Sequence, residues 1–257
     1  MRLELSALSC RLSLAEHAQI KTQGTRLKTC RVAIAFFSIF AGSLLMLQPV
    51  NMDATPEPSE TVVLDESFDR PAVDNRLRWM NPPSGVELRD GWLKFSPGDK
   101  TDFWQKTFSG GSNDNGHFLY LELSGDFVAE TRVTGEFQNQ YDHAGLMLRG
   151  DSTHWIKADA ENDPVGTPTL GVVITRETSD WSVSRPAPKE YVLRLERRGD
   201  LVEVKTTLDG REWSLLRQAT FHIDDPVKVG VFAACPVKAG FRVSFDYLKV
   251  FRFPANR

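Results

Sequence analysis

The chain has 257 residues, with 31 Lys and Arg against 34 Asp and Glu and a formal net charge of −3. There is no basic excess and no Lys/Arg run, so no nucleic-acid partner is expected. The composition is that of a globular protein, 41% hydrophobic and 25% charged, with six tryptophans that all fall between Trp79 and Trp213, and the length suits one β-sandwich domain behind a leader.

Residues 1–31 read as a cytoplasmic or over-called N-terminal tail without a function of its own. Residues 32–48 hold an uncharged apolar run, VAIAFFSIFAGSLLML, preceded by Lys28 and Arg31 and closed by Gln48 and Pro49. That order is the n-region and h-region of a signal peptide, or an anchor slightly short for a spanning helix of about 20 residues. Either alternative places the domain outside the cytoplasm: periplasmic, extracellular or membrane-anchored. Residues 49–60 carry three prolines and no apolar periodicity, as a linker does, and the domain is expected over 61–257. Cys10 and Cys30 precede the apolar run, leaving Cys235 alone in the domain, where it reads as a small core residue.

From there the chain is written in short strands. Residues 86–95 fold back at Asp90-Gly91; further strands are expected over 118–123, 127–136, 144–149 and 155–161. Residues 191–216 form a three-strand meander with turns at Arg198-Gly199-Asp200 and Asp209-Gly210, and strands over 227–234 and 241–253 close the pattern. In the last, Phe241, Val243 and Phe245 alternate with Arg242, Ser244 and Asp246, one face buried and one wet. Roughly a dozen strands suffice for two packed sheets.

Several blocks resemble one family: Trp79-Met80-Asn81-Pro82-Pro83, Asp102 to Thr107 (DFWQKT), Tyr141 to Arg149 (YDHAGLMLR), Trp155-Ile156-Lys157 and Ser179-Asp180-Trp181-Ser182. Their order is similar to that of the concanavalin A-like domain-of-unknown-function family that includes the yeast regulator-of-enolase protein. His143 stands where the family more often has Gln, and ADAEND after Lys157 is more acidic than the pattern. The resemblance implies an all-β, two-sheet antiparallel jelly-roll sandwich of the concanavalin A-like lectin/glucanase type, and no established activity.

Candidate site residues come from alternation. Trp155, Lys157, Asp159 and Glu161 share one face of their strand and Ile156, Ala158 and Ala160 the other. An aromatic ring beside charged groups suits a sugar, whose apolar face stacks while its hydroxyls exchange hydrogen bonds. Asp180-Trp181 and Asp102-Phe103-Trp104 repeat the pairing, and Asp142, just before another strand, joins them if the two strands are neighbours. The expected ligand-binding set is therefore Trp104, Asp142, Trp155, Lys157, Glu161, Asp180 and Trp181. Each tryptophan also reads as an ordinary sandwich aromatic, and Lys157 with Glu161 as a solvated pair.

Three functions follow. The first is an exported, non-catalytic glycan-binding module. The second is a protein-interaction or regulatory domain, as the relative's name suggests. The third is a glycoside hydrolase: Asp159 and Glu161 are roughly 6.6 Å apart between Cα atoms at about 3.3 Å per residue, but the Glu-x-Asp-x-x-Glu strand motif of laminarinase-like enzymes is absent. The five histidines show no zinc-ligand spacing, Asp159, Glu161 and Asp163 lack the EF-hand glycine, and no Gly-x-Ser-x-Gly or phosphate loop occurs, so no cofactor and no metal are expected.

Overall fold

The computed structural model describes residues 60–254; the tail, the apolar run and residues 49–59 of the linker lie outside them. The described residues form strands and no helix. In chain order these are β1 (Thr61–Glu66), β2 (Arg78–Met80), β3 (Val86–Arg89), β4 (Trp92–Phe95), β5 (Phe103–Gln105) and β6 (Ser112–Asp114). Then come β7 (His117–Leu123), β8 (Phe127–Glu136), β9 (His143–Arg149), β10 (His154–Asn162), β11 (Pro168–Arg176) and β12 (Thr178–Pro186). The chain finishes with β13 (Glu190–Arg198), β14 (Leu201–Thr207), β15 (Ser214–Thr220), β16 (Val227–Ala234) and β17 (Arg242–Arg252).

Two large antiparallel sheets face each other, as expected for the jelly-roll sandwich. One has eight strands in the order β15-β14-β13-β8-β17-β4-β3, with β1 also on β17; the other has seven in the order β12-β11-β10-β9-β16-β7-β2. β17 is long enough to pair with β4 through Val243–Phe245 and with β1 through its C-terminal half, which joins the first and last strands of the domain. The turn at Asp90-Gly91 has φ of 55° and 74° at its two central residues, the left-handed pair that a two-residue hairpin requires. Between the sheets lies the main core: Leu119, Leu146, Ile156 and Val172 from the seven-stranded sheet meet Val133, Leu193, Val204 and Phe245 from the other. Cys235 is buried in this core, and burial pushes its thiol up to about 12, so it packs and does not ionise.

The seven-stranded sheet is also covered on its outer face. Phe103, Phe118, Met147, Trp155, Val173 and Phe232 form a second buried cluster there, closed by the β5–β6 hairpin. This is why β11, absent from the strands expected above, shows no alternation: seven of its nine residues are buried, whichever way they point.

Close strand packing gives a test of the sheet. A Cβ on Gly145 of β9 would lie 1.9 Å from the Ala158 carbonyl oxygen, and one on Gly230 of β16 would lie 2.0 Å from that of Leu119. Both obstacles are backbone in a neighbouring strand, which cannot swing aside as a side chain does. Gly145→Ala is therefore expected to cost about 3 kcal/mol, or about 6–12 °C in Tm for a domain of this size. A melting temperature within about 2 °C of wild type would show that the strands separate freely.

Candidate functional site

Alternation along β10 sends Lys157, Asp159 and Glu161 to the outer face of the seven-stranded sheet. Register then sets their neighbours: Lys157 lies between Met147 and Val173, Asp159 between Gly145 and Gly171, and Glu161 beside His143 and Thr169. Val173 is paired in turn with Trp181 on β12. The β5–β6 hairpin is pinned across this face at both strands. Arg149 donates two hydrogen bonds to the Asp114 carboxylate at 2.7 and 2.8 Å, and the Gln105 side-chain amide donates to the Ser152 carbonyl at 2.8 Å. The Gln105 main-chain N–H donates to Ser179 Oγ at 2.9 Å.

What the hairpin leaves open is a cavity of about 860 Å³. Trp104, Phe108, Tyr141 and Trp181 wall it, while Asp102, His143, Lys157 and Glu161 supply its polar surface. Tyr141 and Trp181 meet edge to face, their ring centroids 6.5 Å apart. Phe108, at the hairpin turn, is 104% exposed and holds φ of 65°, a conformation that bulky residues avoid. Packing does not account for an aromatic there, which favours a contact role.

The polar groups form one electrostatic unit. Lys157 is buried, donates from Nζ to His143 Nε2 at 2.9 Å, and lies 3.6 Å from Asp102 Oδ1. His143 Nδ1 is 2.7 Å from the Tyr141 carbonyl, which can only accept; the ring proton therefore sits on Nδ1 and the lone pair on Nε2. Burial and the adjacent ammonium hold His143 well below its ordinary pKa, so it is neutral.

Burial pushes Asp159 up to about 7 and Glu161 up to about 8; Lys157 opposes the rise, Asp102 adds to both, and Asp159 adds to Glu161. They titrate as a pair. Asp159 is 0% exposed and neither carboxyl oxygen has a hydrogen-bond partner among the described residues. The indole N–H of Trp181 is likewise buried and unpartnered. Three carboxyls thus share one ammonium in a walled cleft, the kind of perturbed group that marks functional sites.

The structure brings together five of the seven expected site residues: Trp104, Lys157, Glu161, Asp180 and Trp181 line the cavity. Asp180 stands at its rim, 3.5 Å from Arg217. Trp155 and Asp142 do not line it. Trp155 is fully buried beneath, its ring centroid 5.9 Å from the Lys157 ammonium and its indole N–H donating to the Ser152 carbonyl at 3.2 Å. Asp142 Oδ2 accepts the amides of Gln138 and Asn139 at 2.8 and 2.7 Å and so shapes the turn before β9. Asp102, Tyr141, His143 and Ser179 were outside the expected set although each sits in one of the blocks quoted above; adjacency to Trp104, Asp142 and Asp180 was their only signal.

Fold and cavity define a concanavalin A-like β-sandwich with a candidate binding pocket on the outer face of one sheet. The chain belongs to the family described as "Protein of unknown function (DUF1349)", whose model matches residues 79–252. It is 36% identical over 170 residues to "Regulation of enolase protein 1" of Saccharomyces cerevisiae, covering 65% of this chain and 85% of the relative. A solved structure of a functionally unknown protein from Saccharomyces cerevisiae is 33% identical with a TM-score of 0.67, over 70% of this chain and 98% of that one. The GH43 BlXynB protein from Bacillus licheniformis matches at a TM-score of 0.60 and 15% identity, over 74% of this chain and 39% of its own, a likeness of fold alone.

Proposed function

We propose that the domain is a non-catalytic carbohydrate-binding module that residues 32–48 carry across, or hold at, a membrane. The observation that carries this reading is the cavity itself: aromatic rings on its walls and hydrogen-bonding groups on its floor, in a volume that fits one or two sugar units. Trp104 and Trp181 would stack on pyranose faces, and Lys157 and Glu161 would bond hydroxyls. Asp159 and Glu161 stand side by side on one strand face, and Asp159 is closed off from solvent; a hydrolase needs two carboxyls facing each other across the bond, so the arrangement favours binding over cleavage.

The test is a glycan array probed with the full chain. Selective binding is expected, weakened at least about tenfold by Trp181→Ala, as for loss of a central aromatic anchor. Trp213→Ala, whose ring packs under Arg194 of the other sheet at 4.8 Å, is expected to leave it intact. An array without any hit would sink the reading and promote a second one, a protein-binding regulatory domain, which the name of the 36% identical relative and the exposed Phe108 both favour.

A further inference from the structure

We propose that the bound saccharide is an amino sugar, whose ammonium group meets the Glu161 carboxylate with Asp159 behind it as a second negative charge. This rests on the carbohydrate reading and adds the chemical class of the ligand. The charges around the floor do not balance. Lys157 is the cation there, and Asp102 at 3.6 Å offsets it. Asp159 and Glu161 are then surplus. Asp159 shares the outer face of β10 with Lys157 and Glu161 and sits between them, wholly buried, with both oxygens unpartnered.

No second protein cation is placed to answer the surplus among the described residues near it. His143 of β9 presents a lone pair. Arg149, further along the same strand, is held by Asp114 at 2.7 Å. Arg217 lies outside, beside Asp180. From the opposite sheet, Tyr191 packs beneath as a neutral phenol donating to the Ala144 carbonyl at 3.0 Å, and the Asp159 charge is among the causes that raise its pKa. The walls add a second argument, since Trp104, Tyr141 and Trp181 line the cavity and aromatic rings attract cations to their π faces.

The empty site answers its own surplus by keeping protons on the two carboxyls, which burial raises into the neutral range. An arriving ammonium supplies the missing positive charge; it keeps its own protons, and the carboxyl proton leaves to buffer. Binding of a cationic sugar is therefore accompanied by proton release, and its affinity rises with pH from about 4.5 to 6, where a sugar amine, weakened as a base by its neighbouring oxygens, is still charged. A neutral sugar shows neither effect.

The experiment is calorimetry of the full chain at pH 5.5, where the sugar amines are charged, with a glucosamine tetramer and with the matching N-acetylglucosamine tetramer, each in two buffers of different ionisation heat. The glucosamine tetramer is expected to bind about tenfold tighter or more, the size of a charge-assisted hydrogen bond, and to release about one proton. Glu161→Gln, which keeps the side-chain shape, is expected to bring the two tetramers within about twofold and abolish the release. The wild-type proton count stands whether or not the variant folds. Equal affinities, absence of proton release, or a preference that survives Glu161→Gln would each overturn the inference while leaving the carbohydrate reading in place. Binding to neither tetramer overturns it too, and only a blank glycan array besides would remove both.

Discussion

Lys157→Met is expected to destabilise the domain by about 3–5 kcal/mol at pH 8 and by less than half of that at pH 5. Lys157 is the ammonium that Asp102, Asp159 and Glu161 share, at a position with almost no solvent to take its place. Methionine fills nearly the same volume, so the packing against Trp155 and Phe232 is largely kept and the loss is electrostatic. At pH 8 the carboxyls are close to their titration range and the cation is what makes their ionisation tolerable; without it they are driven to stay protonated, at a free-energy cost that grows with pH. At pH 5 both buried carboxyls are already neutral in the folded state and need no counter-ion. Urea unfolding at the two pH values checks this. An equal loss at both would mean that Lys157 contributes by packing alone.

The opposite change carries the opposite sign. Asp159→Asn with Glu161→Gln is expected to stabilise the domain at pH 8 by on the order of 3 kcal/mol and by clearly less at pH 5, where only the first part of the penalty has accrued. Both groups have folded-state pKa values raised above their unfolded ones, from 3.8 to about 7 and from 4.5 to about 8. Between those limits the folded state binds more protons than the unfolded state, so stability falls as pH rises through the window, by up to about 1.4 kcal/mol per pH unit and group. The amides cannot ionise and escape that slope, although Lys157 then keeps only Asp102, which limits the gain. Stability curves of wild type and variant should therefore diverge steadily from pH 5 to pH 8. Parallel curves would sink the assignment. A pair that weakens the empty domain is what a site built for a ligand is expected to carry.

Much of the scaffold was legible because it is written locally. Asp90-Gly91 and Arg198-Gly199-Asp200 each mark a hairpin turn, with φ of 74° at Gly91 and 56° at Gly199. The alternation of Phe241 to Asp246 identifies β17, and the expected spans 127–136 and 227–234 coincide with β8 and β16. β1 and β12 were also outside the expected strands, and most of what was lost lacked a local pattern. β2, β5 and β6 have three residues each, too few to show a period, and β11 is buried along nearly its whole length.

The site divides in the same way. Its strand-borne part, Lys157 and Glu161 on one face of β10, follows from the two-residue period of an extended chain, which any stretch of sequence displays. Trp155 shares that face, yet it is closed over while Trp181 remains on the cavity wall, and no property of either residue distinguishes them. The difference comes from the β5–β6 hairpin, held by Arg149 on Asp114 across 35 positions of sequence and by Gln105 on Ser179 across 74. The same docking draws Asp102 to the ammonium and leaves Asp142 in its turn. Turn chemistry and side-chain alternation act between neighbours and so can be read from the sequence by itself. Which outer face is covered, which carboxyls share a cation and which tryptophans line the cavity depend on contacts between distant segments, and only the folded chain decides them.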